Sequence, residues 1–83
     1  MTKSKYINTI IDLVEDLDLV PDAPAREWRG PYGIHSGRGA RRRAIEDAIE
    51  EEIRWFGCRL SPEQMAERAS YRVTPVEDVE DED

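Results

Sequence analysis

The chain has a single cysteine, Cys58, and a single histidine, His35. One cysteine excludes an intramolecular disulfide, and with it the cross-linked framework of small secreted domains, so a reducing cytoplasm is the expected compartment. One cysteine and one histidine also fall short of the three or four ligands of a zinc site, and no metal or other cofactor is expected. Long apolar runs are missing too. The stretch from Ile10 to Val20 is broken by Asp12, Glu15, Asp16 and Asp18, which excludes a membrane span and a signal-peptide core. Aromatic residues are limited to Tyr6, Trp28, Tyr32, Trp55, Phe56 and Tyr71, and a chain of 83 residues has room for one small core. Such a core leaves stability marginal, which favours burial against a protein partner or in a homodimer.

What the chain has in excess is charge, and the charge is segregated. Net charge is -7, yet Arg26, Arg29, Arg38, Arg41, Arg42 and Arg43 crowd into one window in which Glu27 is the sole carboxylate. The remainder is strongly acidic. A basic window in an acidic chain suggests a binding site, although no motif in it names a reaction.

Tyr6, Ile7, Ile10, Leu13, Val14 and Leu17 recur at three- and four-residue intervals and predict an amphipathic helix from about Lys3 to Leu19, capped by Thr2 or Ser4 and stopped by Pro21 and Pro24. From Pro21 to Gly39 the periodicity vanishes, and the glycines and prolines there predict a long irregular loop, in which Trp28, Tyr32 and Ile34 supply apolar groups to pack on the helices. A second helix is expected from Ala40 to Phe56, with Ile45, Ala48, Ile49, Ile53 and Phe56 on one face and Gly57 as its C-terminal cap. Ser61, Pro62 and Gln64 form a capping-box start for a short helix from Pro62 to about Ser70, with Met65, Ala66 and Ala69 as its buried side. Tyr71 to Val76 reads as extended or irregular. Residues 77–83 hold six carboxylates and one valine and are expected to be disordered. The expected fold is therefore mainly α: one helical domain over residues 1–76, built from two amphipathic helices joined by a long Gly/Pro-rich basic loop, a short third helix, and an acidic tail over 77–83.

The arginines admit two readings. Arg41, Arg42 and Arg43 occupy the first turn of the second helix, where the helix dipole disfavours cations, while Glu15, Asp16 and Asp18 occupy the last turns of the first, where it disfavours anions. An antiparallel helix pair would set these misplaced charges against each other, and Arg42 with Glu46 and Arg43 with Asp47 would pair along the second helix. Alternatively, glycines leading into a helix start, with guanidinium groups beside free amides, make an anion site that would meet nucleic-acid phosphates or an acidic protein. The GK[ST] ending of a phosphate-binding loop is absent, so nucleotide hydrolysis is not implied. The net charge of -7 opposes long-range attraction to DNA.

Other residues supply weaker signals. Glu46, Asp47, Glu50, Glu51 and Glu52, with the acidic tail, read as a solvated face or as a phosphate-like array that mimics nucleic acid. A tail that folds back on the arginines would compete with their partner, and its deletion would then tighten anion binding. His35 beside Ser36 suits a general base, but no nucleophile or orienting carboxylate is evident near it, and no enzymatic activity is expected. Cys58 follows a helix C-terminus, which opposes a thiolate and assigns it to packing. Trp55 lies off the apolar face of its helix and is a candidate contact residue. Leu60 to Arg68 resembles the first helix of a helix-turn-helix unit, but Tyr71, Arg72, Val73, Thr74 and Pro75 do not continue as a recognition helix.

The reading that joins these signals is a non-enzymatic protein-interaction module, a small regulator or inhibitor docking by complementary charge through Arg26, Arg29, Arg38, Arg41, Arg42, Arg43 and Trp55. Small, highly charged chains of this kind resemble phage-encoded inhibitors in general character. The alternative is nucleic-acid or phosphate binding through the segment from Arg26 to Arg43.

Overall fold

Thr2 accepts a hydrogen bond from the Lys5 amide at 3.2 Å and starts α1, Lys3–Asp16. The helix ends three residues before the expected Leu19. Asp18 adopts the left-handed conformation, with φ 53, and the amides of Asp18 and Leu19 turn back to the carbonyls of Glu15 and Val14. This is the Schellman closure, with aspartate in the place usually held by glycine. The computed structural model describes residues 2–21 and 25–76. The tail expected to be disordered, 77–83, lies outside the described residues.

The expected loop from Pro21 to Gly39 is overturned. It contains a β-hairpin of β1, Glu27–Gly30, and β2, Gly33–Ser36, to which a third strand, β3, Thr74–Val76, adds on the other side of β1. Both pairings are antiparallel, giving the order β2-β1-β3. The fold is thus three helices with a small three-stranded sheet, not a helical bundle with a connecting loop. Pro31 holds φ negative in the two-residue turn, which excludes the primed turns that match strand twist, and Gly33 at φ 135 absorbs the mismatch. Pro75 lacks an amide donor and is tolerated in β3 because that strand lies at the edge of the sheet.

Two further helices complete the chain: α2, Ala40–Phe56, and α3, Pro62–Ser70. Their bounds agree with the periodicity and caps read from sequence, and the Ser61–Gln64 capping box is formed in both directions. After α3 the chain enters β3, so no recognition helix follows the segment that resembles a helix-turn-helix.

α1 and α2 run antiparallel, held at one end by Arg41 and Glu15 and at the other by Lys3 and Glu50, 3.3 Å apart. Ala40, Ala44 and Ala48 form a small-residue stripe on α2 that lets the helix press onto the inner face of the sheet. The closest approach is at Gly30, where a Cβ would stand 3.1 Å from the Ala44 carbonyl oxygen. Trp28 fills the inner face of β1 and is buried, while Ile10, Val14, Ile45, Ile49 and Met65 form the centre of the core. Tyr6 joins α1 to the α2–α3 connection by donating its hydroxyl to the Leu60 carbonyl at 2.7 Å. Tyr32 and Ile34, expected to pack against the helices, are instead about half exposed at 52% and 50%. Cys58 is also exposed, not packed.

Candidate functional site

The hairpin divides the six arginines. Arg41 stands at the start of α2, facing the end of α1, and is fully engaged there. Its Nη1 lies 2.6 Å from Glu15 Oε2 and its Nη2 3.1 Å from Oε1, while Nη2 and Nε donate to the carbonyls of Val20 and Pro21 at 2.7 and 3.2 Å. The guanidinium also lies 5.9 Å from the centroid of the Trp28 ring. The hydrogen bond from Arg41 holds the Glu15 carboxyl below its ordinary range, against a smaller upward push from burial. Arg41 is a clamp between α1, the following turn and the sheet. Arg42 pairs along its own helix with Glu46 at 3.3 Å.

The other four arginines are exposed, and none forms an ion pair among the described residues. Arg26 immediately precedes β1, and its carbonyl accepts from the Gly37 amide at 3.0 Å, which brings it beside the turn that carries Arg38. The amide of Arg43 donates to the Gly39 carbonyl at 3.0 Å, placing Arg43 in the first turn of α2, directly after that same turn. These three therefore gather where the base of the hairpin meets α2. Arg29 stands on the outer face of the central strand, with Ile34 opposite it on β2 and Thr74 opposite it on β3. Glu27, Ser36 and Val76 form the next row of the same open face.

The inner face shows why sequence alone hid the strands. His35 points inward, and its Nε2 lies 2.6 Å from Asp47 Oδ2 on α2. Asp47 was expected to pair with Arg43 and pairs with His35 instead. The alternation along β2 is thereby inverted, with a polar residue turned toward the helix and Ile34 turned to solvent. Asp47 thus supplies His35 with a carboxylate that the sequence does not place beside it, but no hydroxyl or thiol side chain bonds to the imidazole among the described residues.

All five carboxylates of the proposed acidic array on α2 have partners. Glu46 meets Arg42, Asp47 meets His35, and Glu50 meets Lys3. Glu51 accepts from Trp55 Nε1 at 2.8 Å, and this bond, followed by one from the Tyr32 hydroxyl, lowers its carboxyl below the ordinary range. Trp55 remains 71% exposed beside this contact. Glu52 is buried, at 1% exposure, between Arg68 and Arg72. Burial pushes the Glu52 carboxyl up, but hydrogen bonds and charge from the two arginines outweigh it, so the group titrates below its usual value. Sequence reasoning passed over this cluster, although it left a signal. Ala40, Ala44, Ala48 and Glu52 continue one stripe at four-residue spacing, and Arg68 and Arg72 repeat that spacing at the end of α3.

Among the described residues, no group of three or more His, Cys, Asp or Glu side chains is arranged to hold a metal ion, and no helix is long and apolar enough to cross a membrane. No protein-family model, curated protein or solved structure matches the chain.

Proposed function

We propose that the chain is a protein-binding module whose open sheet face and hairpin base receive an acidic surface of a partner protein. The observation that carries this reading is the uncovered setting of Arg29, an exposed cation on the central strand flanked by half-exposed Ile34 and by Thr74. Arg26, Arg38 and Arg43 extend the cationic area at the hairpin base. Cationic residues around an exposed apolar group suit a protein partner, because burying Ile34 contributes nonpolar association energy while the arginines set orientation and encounter rate.

A nucleic-acid backbone fits this surface less well. Glu27 lies in the open face next to the Arg29 row, and the net charge of -7 repels a polyanion at long range. Arg41, which would have anchored a phosphate at the helix start, is consumed by Glu15 and two carbonyls. No catalysis is assigned, and the role proposed with this surface is that of a regulator or inhibitor acting by occupying its partner.

The test is a binding titration by fluorescence anisotropy, with a labelled acidic peptide and labelled single- and double-stranded oligonucleotides at low and high salt. The reading expects the peptide to bind more tightly than either oligonucleotide, with affinity falling as salt rises. Tighter oligonucleotide binding would transfer the surface to the phosphate reading.

A further inference from the structure

A second arginine pair lies on α3 and in the turn that follows it, separate from the hairpin surface. Arg68 Nε donates to Glu52 Oε1 at 2.9 Å and Arg72 Nε donates to Glu52 Oε2, so one buried carboxylate holds both guanidinium groups. The Arg68 guanidinium is also stacked 4.5 Å from the centroid of the Phe56 ring, which fixes its plane. Only the Nε atoms are used. The Nη nitrogens of both arginines find no hydrogen-bond acceptor among the described residues, and the two side chains are 47% and 41% exposed. Together with Glu52 and Tyr71 they line a surface cavity of about 210 Å³.

The cavity thus joins guanidinium groups with unspent Nη donors to Tyr71, a lining residue that is 77% exposed. Two guanidinium charges against Glu52 leave one positive charge, which a monoanion neutralises. A dianion would overcompensate. A carboxylate also matches the planar fork of arginine. We propose that the Arg68–Tyr71–Arg72 cavity binds a carboxylate attached to a planar apolar body, with Glu52 as the buried counter-charge that aligns the two guanidinium groups.

The experiment is a titration of the full chain with benzoate, followed by nuclear magnetic resonance of the arginine Nε–H groups, with inorganic phosphate titrated in parallel. Benzoate is expected to give saturable shifts at Arg68 and Arg72 and to bind more tightly than phosphate. Arg72→Lys keeps a charge for Glu52 but removes the fork, and is expected to weaken benzoate by about tenfold. Tyr71→Ala alters only an exposed wall and so tests the site if Arg72→Lys does not fold. It is expected to weaken benzoate by about threefold or more. Non-saturating shifts, phosphate binding as tight as benzoate, or unchanged benzoate affinity in a folded variant would overturn the proposal.

Discussion

Arg41 reaches both oxygens of Glu15, at 2.6 and 3.1 Å, from the opposite helix of an antiparallel pair. Each charge stands at the helix end where the dipole disfavours it, and each offsets the other's penalty. Arg41 also satisfies two carbonyls in the turn after α1, so its removal leaves more than a salt bridge unmade. Arg41→Ala is expected to cost about 2–3 kcal/mol, whereas Glu15→Gln, at a carboxylate that is half exposed, should cost about 1 kcal/mol or less. Urea denaturation of the two variants checks the order.

The Glu52 cluster predicts an acid limb. The carboxyl titrates near 4.5 when unfolded and lower when folded, so its stabilisation is complete above about 4.5 and is lost as pH falls through the folded-state value. Glu52→Gln is expected to cost about 1–3 kcal/mol at neutral pH and to flatten the loss of stability below pH 4.5. Replacing both arginines by methionine strands a buried carboxylate and should cost about 3–5 kcal/mol. Melting temperatures measured across pH separate these effects.

Two backbone positions give opposite signs. At Gly30 a Cβ would press on the Ala44 backbone at 3.1 and 3.2 Å, so Gly30→Ala is expected to destabilise by about 1–3 kcal/mol by forcing α2 off the sheet. Asp18 holds a left-handed conformation that glycine adopts without strain, and Asp18→Gly should stabilise by about 1 kcal/mol. Thermal unfolding resolves both.

Trp55 is 71% exposed, and its one side-chain hydrogen bond among the described residues is to Glu51 on its own helix. Trp55→Ala is therefore expected to change stability by about 0.5 kcal/mol or less. If Trp55 anchors a partner, the same variant weakens binding by about 2 kcal/mol or more. Loss of folding in Trp55→Ala would assign the ring to packing.

The helices were legible because their signals are local. The three- and four-residue spacing of Ile45, Ala48 and Ile49 and the capping residues Ser61 and Gln64 place α2 and α3 where they occur. The sheet was not legible, for three physical reasons. β1 and β2 are only four residues each; His35 inverts the expected alternation because Asp47 satisfies it on the inner face; and β3 joins β1 from a distant part of the chain. At the arginines, the antiparallel charge argument identified the pairing of Arg41 with the end of α1. Along α2 the expected pair of Arg42 with Glu46 is formed, whereas Arg43 loses its expected partner, because the Asp47 carboxylate is taken by His35 on a strand unseen in the sequence.

The most direct test of the binding surface compares charge-matched baits. Wild-type protein, Arg29→Glu on the open sheet face, and Lys5→Glu on the exposed side of α1 are immobilised, and retained host proteins are quantified by mass spectrometry. An acidic protein retained by the wild type should fall by about tenfold or more on Arg29→Glu and change by about twofold or less on Lys5→Glu. Equal retention on Arg29→Glu and wild type, or equal losses on both variants, would contradict a binding role for the open sheet face.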